Sequence, residues 1–171
     1  MRQLSLGFLK DYKKEFGGSL LIGKRKTARP IAIKKPMHLI LKTTKLSPFN
    51  PTNYKLEKII KQYASKYQIT VYDYALNWSH IHLTIKLPNR EAYFAFIKTV
   101  TAALINYLSK ALKKDLKGLF DLRPYTKIIT CRKQFENAID YMELNQQEAL
   151  GLIVRVKKAM SRKKRPKQSQ V

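Results

Sequence analysis

The chain has 171 residues, 44% of them hydrophobic, and its 35 lysines and arginines against 11 acidic residues give a net charge of +24 at pH 7. This length suits one domain with its own core, and the charge predicts a polyanionic partner: nucleic acid first, an anionic membrane surface second, an acidic protein third. The single cysteine, Cys131, excludes an internal disulfide framework and fits a reducing cytoplasm. No apolar run approaches the ~20 residues of a membrane span, and the first residues lack the apolar core of a signal peptide.

Residues 1–35 are predicted to form a basic arm ahead of the main domain. From residue 24 to residue 35 the segment carries no acid and is rich in basic side chains, which are Lys24, Arg25, Lys26, Arg29, Lys34 and Lys35. Such a segment is either a solvated linker or an arm that binds phosphates, and the total charge favours the arm at least as much as the linker.

The first predicted strand, residues 37–44, alternates so that Met37, Leu39 and Leu41 face a core while His38, Ile40 and Lys42 face away. A loop with two prolines follows. Residues 50–53 then start a helix whose body is 54–67, with an apolar stripe of Leu56, Ile59, Ile60 and Tyr63.

Residues 68–76 and 80–87 are rich in β-branched and aromatic side chains, and their short link predicts an antiparallel hairpin. Within this link, Trp78 is interpreted as a plug that packs on the domain, with base stacking as the alternative. A long helix from about 90 to 113 follows, with a predicted apolar stripe of Phe94, Ile97, Thr101, Leu104, Leu108 and Leu112.

A fourth strand is predicted at 125–131 and a helix at 133–146, followed by a short helix from Ala149. Residues 36–153 form the predicted catalytic domain, and 154–171 a basic, partly disordered tail. The order β-α-β-β-α-β-α predicts an α+β fold with a ferredoxin-like antiparallel sheet. Helices would cover one face of this sheet and leave the other open to a ligand.

His80 and His82 stand two residues apart in the third predicted strand, and side-chain alternation places them on the face away from the core. Two imidazoles at this spacing can hold one divalent cation. The alternative is a pair of incidental, half-exposed strand histidines. Two histidines and one cysteine are too few for a closed zinc site, so a bound metal would occupy an open, catalytic-type site with a further oxygen ligand.

The last helix carries an apolar stripe of Phe135, Ala138, Ile139 and Met142, with Tyr141 at its edge. Asn145 lies one turn further on, so a phenol and a carboxamide project together. The alternative is an aromatic residue that completes the core beside a polar residue near the helix end.

A histidine pair, a helical tyrosine beside an amide and a charge of +24 together point to phosphodiester chemistry. A metal would polarise the scissile phosphate. The Tyr141 oxygen would attack phosphorus, forming a phosphotyrosine link and freeing a 3′-hydroxyl. Because this link conserves the bond energy, the strand can be rejoined elsewhere.

In these residues the chain resembles the single-tyrosine HUH transposases, and most closely their REP-associated branch. The resemblance spans roughly residues 36–153. It rests on His80-Ile81-His82 as the HUH motif, on residues 138–152 as the tyrosine helix, and on residues 120–129 as the strand before that helix.

This resemblance implies an HUH-endonuclease fold, a Tyr141 nucleophile, and Mg²⁺ or Mn²⁺ bound by His80 and His82. Insertion-sequence members complete the metal site with a glutamine one turn past the tyrosine. Here that position is Asn145, and a glutamine follows as Gln146. The implied substrate is single-stranded DNA with hairpins or palindromes. A monomer is implied for the REP-associated branch, with a dimer that exchanges the tyrosine helix as the alternative.

The basic segments 24–35 and 155–167 are predicted to bind the phosphates of a hairpin stem. Arg25 and Arg29 are predicted to reach base edges. Arg123 and Lys127 either bind the scissile region or are solvated, and Lys86 shares the histidine face. The tail residues assigned to DNA binding are Arg162, Lys163, Lys164 and Arg165.

A second function remains open from the sequence: a non-catalytic protein that binds RNA or single-stranded DNA on the same sheet. It explains the charge and the open face equally well, but not the coincidence of the histidine pair with the Tyr141–Asn145 pair. A domesticated transposase retained by a host is a third possibility.

Overall fold

The computed structural model describes residues 15–23, 28–43, 46–120 and 122–154. Several residues assigned to DNA binding lie outside the described residues, namely Lys24, Arg25, Lys26, Arg162, Lys163, Lys164 and Arg165. None of the helices in the described ranges is long and apolar enough to cross a membrane.

Five strands form one antiparallel sheet in the order β1-β5-β2-β4-β3. They are β1 (Glu15–Phe16), β2 (Met37–Lys42), β3 (Thr70–Asn77), β4 (His80–Lys86) and β5 (Tyr125–Ile128). The helices are α1 (Tyr54–Lys66), α2 (Arg90–Leu112) and α3 (Arg132–Ala149). The predicted α+β class, antiparallel sheet and element order are confirmed, and the short strand β1 is an addition to them.

The core lies between the sheet and the helices α1 and α2. Leu39 of β2 pairs with Leu83 of β4, and both side chains are fully buried beside Phe96 of α2. At the start of α1, the Asn53 side chain accepts a hydrogen bond from the Lys55 N–H at 3.1 Å, which satisfies one of the free donors of the first turn.

Two predictions about the helices were wrong. In α2 the buried line runs through Phe96, Val100, Leu104 and Leu108, while Phe94 is 48% exposed and Leu112 is also exposed. Phe94 lies two residues from Phe96 and therefore about 200° around the helix, on the opposite side. The short helix predicted from Ala149 is absent from the described residues up to 154, because α3 itself continues to Ala149.

The histidine face of the sheet is not left open, which corrects the prediction that helices cover one face only. Helix α3 lies across it: the Thr84 hydroxyl contacts the Met142 sulfur at 3.6 Å, and the Gln146 side chain accepts the Leu76 N–H at 2.8 Å. Because α1 and α2 already occupy the first face, α3 packs on the second, where Met142 is buried and Phe135, Ala138 and Ile139 are half-buried.

Gly17 fixes the junction between β1 and the residues before β5. Its backbone, with φ of 92° and ψ of −166°, lies in a region that only glycine adopts readily. A Cβ there would lie 2.0 Å from the Pro124 carbonyl oxygen. The neighbouring Gly18 N–H donates to the Arg123 carbonyl at 2.8 Å, so the two segments cannot separate without losing this bond.

Gly17→Ala is therefore expected to lower the free energy of unfolding by about 3 kcal/mol, since it adds a steric clash to backbone strain. Gly23→Ala is the matched control, because Gly23 also has a positive φ, of 69°, but no atom lies within 4 Å of the added carbon. Urea denaturation of both variants measures the difference. Equal losses would show that the close approach to Pro124 contributes nothing.

Candidate active site

Strand β4 presents His80 and His82 on one face, as predicted. In the register with β2, His80 lies opposite Lys42 and His82 opposite Ile40. The two imidazole centroids are 4.6 Å apart, with ring planes at 79°. This separation brings two nitrogen donors to one patch of the sheet.

The chain's third histidine, His38, completes the group. Its Nε2 lies 3.0 Å from His82 Nδ1, and both side chains are buried, with His82 2% exposed. The sequence shows that His38 faces away from the core, but its place beside His82 depends on the β2–β4 register, which alternation alone does not give.

His38 can act as a positioning residue for His82. When His82 Nδ1–H donates to His38 Nε2, the lone pair of His82 lies on Nε2, where it can bind a metal. This arrangement requires a neutral His38. Burial, assisted by the charge of Lys127, lowers the pKa of His38 to about 4, so the residue is neutral at pH 7.

Acid is expected to destabilise the fold through His38. Between pH 6.5 and about 4 the unfolded chain binds a proton there that the folded chain does not, so stability is lost as the pH falls through this window. The loss is on the order of 3 kcal/mol. Urea denaturation across this range should show a shallower pH slope for His38→Asn than for wild type. Identical slopes would contradict the assignment.

Glu148 is a site residue that the sequence reasoning missed. Burial lowers the pKa of His80, the charge of Lys42 lowers it further, and the charge of Glu148 opposes both. Glu148 lies seven residues after Tyr141 and therefore on the same side of α3. That helical spacing was the available signal, and it places a carboxylate near the exposed end of the histidine pair.

Tyr141 lies over the histidines of its own chain. Its ring centroid is 5.6 Å from that of His82 and 6.3 Å from that of His38. The side chain is 44% exposed, so its phenol is accessible to a large substrate. Helix α3 thus brings the predicted nucleophile to the predicted metal ligands within one subunit.

Asn145 and Gln146 differ clearly in their surroundings. Asn145 is 3% exposed, and its Nδ2 donates to the Tyr141 carbonyl at 2.5 Å, so its side chain lies beside the backbone of the predicted nucleophile. The Gln146 oxygen accepts the Leu76 N–H and anchors α3 to β3. This placement favours Asn145 over Gln146 as a ligand, and the assignment stays a prediction.

The donor set would make an open metal site rather than a closed one. Among the described residues, no three His, Cys, Asp or Glu side chains form a group that could hold a metal by themselves. His80 and His82 would therefore need the Asn145 oxygen and oxygens from substrate or water. Such incomplete coordination differs from that of a structural zinc ion, which has four protein ligands.

Three lysines surround the histidines on the same face of the sheet. Lys42 lies opposite His80, and Lys127 lies opposite His38. Lys86 is exposed at the end of β4, and Lys127 pairs with Glu15 at 2.8 Å. Lys42 was not singled out from the sequence. Together these lysines make the face around the site positive.

The two described arginines assigned to DNA binding differ in exposure. Arg123 is exposed just before β5. Arg29 is 9% exposed, donates to the Thr126 hydroxyl at 2.7 Å, and lies 4.5 Å from the centroid of the Phe16 ring. Arg29 therefore contacts β1, β5 and α2. Because its guanidinium is buried in these contacts, its position does not favour contact with base edges.

Trp78 does not act as a plug, contrary to the preferred interpretation of the sequence. Its side chain is 50% exposed in the β3–β4 turn, next to the metal strand. The Trp78 backbone connects the turn to the loop before α1, since its carbonyl accepts the Phe49 N–H at 3.1 Å. The indole is therefore available for stacking.

Comparison with known proteins supports the fold. No family model and no curated protein matches the sequence. A REP-associated tyrosine transposase bound to a REP hairpin is similar in structure, with a TM-score of 0.53 and 16% identity over 75% of this chain and 76% of that chain. A provisionally assigned transposase from Deinococcus radiodurans R1 has a TM-score of 0.44 and 18% identity over 71% of this chain and 98% of that one. The first comparison shows that the chain has the α+β fold of that transposase structure, as the resemblance implied.

Proposed function

We propose that the protein is a metal-dependent enzyme that cleaves single-stranded DNA and transfers the cut strand through a covalent 5′-phosphotyrosine intermediate. The observation that carries this proposal is the placement of Tyr141 within ring contact of His82 and His38. An exposed phenol beside paired imidazoles, inside a positive surface, is suited to attack on a phosphodiester.

In the proposed reaction the Tyr141 oxygen attacks phosphorus and the bond from phosphorus to the 3′ oxygen breaks. The phenol proton is lost to solvent, and the departing 3′ oxygen takes up a proton to become a hydroxyl. Attack by a 3′-hydroxyl on the phosphotyrosine reverses these changes and joins the strand to a new end. Each step exchanges one phosphate ester for another, so no external energy source is needed.

His80, His82 and Asn145 are the residues proposed to hold Mg²⁺ or Mn²⁺. When bound, such a cation polarises the phosphate oxygens and so makes phosphorus more electrophilic. His38 keeps His82 in the tautomer that can bind a metal, and Glu148 adds negative charge beside His80. Because α3 of the same chain supplies Tyr141, the site needs no second subunit, which supports a monomer.

Hairpin or palindromic DNA is the proposed substrate. The similar transposase structure contains a REP hairpin, and the charge of +24 supports binding through phosphates. Lys86, Lys127 and Arg123 are proposed to contact the strand near Tyr141. The basic segments 24–35 and 155–167 are proposed to contact the stem.

Adduct formation tests the proposal. Labelled single-stranded hairpins from the DNA that flanks the gene are incubated with the protein and Mn²⁺, and the products are separated on a denaturing gel. The proposal expects a protein–DNA band that survives denaturation and does not form when EDTA is present from the start. Tight, metal-independent binding with no such band would instead support the non-catalytic nucleic-acid-binding function.

A further inference from the structure

A cavity of about 480 Å³ opens beside Tyr141, between helix α3 and the sheet. Its floor is formed by β2 and β5, through His38, Ile40, Tyr125 and Lys127. This volume lies within the range of about 300–1,000 Å³ that holds drug-sized ligands, which includes a single nucleotide. The apolar and aromatic side chains of the floor suit the flat face of a base.

The helical wall of the cavity is polar. Gln134, Asn137, Ala138 and Tyr141 follow one another at the i, i+3, i+4 and i+7 positions of α3, so they share one face. A ligand in this cavity therefore touches two carboxamides and the phenol of Tyr141 together.

The two carboxamides offer different hydrogen-bonding groups. The Gln134 oxygen accepts both the N–H and the hydroxyl of Thr130 at 3.0 Å, which orients its NH₂ group as the remaining donor. Asn137 is exposed, and within the described part of the chain its side chain has no hydrogen bond, so both its donor and its acceptor are available. Carboxamides of this kind pair with the edges of bases and can distinguish one base from another.

We infer that this cavity binds the unpaired base next to the scissile phosphate, and that Asn137, with the NH₂ group of Gln134, determines which base is accepted. The inference rests on the proposed function, because it places the strand across Tyr141. It adds a site that selects the cleavage position by sequence, separate from the basic surface that holds phosphates. Recognition at this point needs no groove, since the base is unpaired.

The test measures binding without cleavage. Tyr141→Phe protein is titrated into four fluorescein-labelled strands of abasic deoxyribose phosphate, each carrying a single central base, dT, dA, dC or dG, and anisotropy is recorded. One of the four strands is expected to bind about 10-fold more tightly than the others, as one good amide–base pair provides. Asn137→Ala in the same background should remove this preference, while all four strands still bind.

Gln147→Ala is the matched control, because Gln147 is another carboxamide of α3 but does not line the cavity. It should keep the preference. Alanine is a strong helix former, so Asn137→Ala should fold normally. Equal binding of all four strands, no binding of any strand, or the same preference in Asn137→Ala would each overturn the inference. A base preference that depends on Asn137, found with a wild-type protein that forms no adduct, would reject the cleavage proposal and keep the binding site.

Discussion

Replacing Tyr141 with phenylalanine is expected to abolish the covalent protein–DNA adduct while leaving DNA affinity within about twofold of wild type. The substitution removes only the hydroxyl oxygen, and the ring remains over His82 and His38. Loss of a nucleophile costs a factor on the order of 10⁶ in other enzymes, so the adduct should fall below detection. A denaturing gel measures the adduct, and anisotropy with the same hairpin measures affinity.

Tyr125→Phe is the control for this substitution, because Tyr125 is the other tyrosine that lines the same cavity. Burial and the Glu15 carboxylate raise the pKa of Tyr125 to about 12, which makes it a poorer nucleophile. The adduct should survive in Tyr125→Phe. If the adduct persists in Tyr141→Phe and disappears in Tyr125→Phe, the nucleophile is Tyr125 of β5 rather than Tyr141.

His82→Ala should have the second largest effect, a loss of at least about 100-fold in Mn²⁺ affinity together with loss of the adduct. The change removes one of the two imidazoles and leaves His38 without its 3.0 Å partner. Removing even an outer partner of a metal ligand costs about 10–100-fold, so loss of a direct ligand should cost at least as much. Electron paramagnetic resonance of free Mn²⁺ reports binding without relying on activity.

Thr84→Ala separates this effect from a general loss of packing. Thr84 follows His82 on the same face of β4, is fully buried, and contacts Met142 of α3. It should lose some stability but keep the Mn²⁺ affinity of wild type. If both variants bind Mn²⁺ as wild type does, the metal lies elsewhere or is not bound.

Much of the site follows from local pattern. The period of two in β4 places His80 and His82 together, and the period of 3.6 in α3 places Tyr141 one turn from Asn145. These relations lie within one element, where backbone geometry alone determines which side chains are neighbours. The apolar alternation of β2 and β4 likewise predicted which residues reach the core.

The remaining features depend on contacts between elements that are distant in sequence. His38 meets His82 only because β2 and β4 pair in one register, and a shift of one residue would place it on the other face. Arg29 carries a charge that suggested exposure, yet Phe16, Tyr93 and Thr126 surround it. The reverse holds for Trp78. Its apolar ring predicted a buried side chain, but the tight turn directs the side chain outward.

The most direct test of the account is to locate the covalent bond. Wild-type protein is incubated with a labelled hairpin and Mn²⁺, the adduct is digested with protease and nuclease, and the nucleotide-bearing peptide is sequenced by mass spectrometry. The account predicts a phosphodiester-linked nucleotide on Tyr141 in the peptide from α3. A nucleotide on any other residue, or cleaved DNA with no linked peptide, would contradict it.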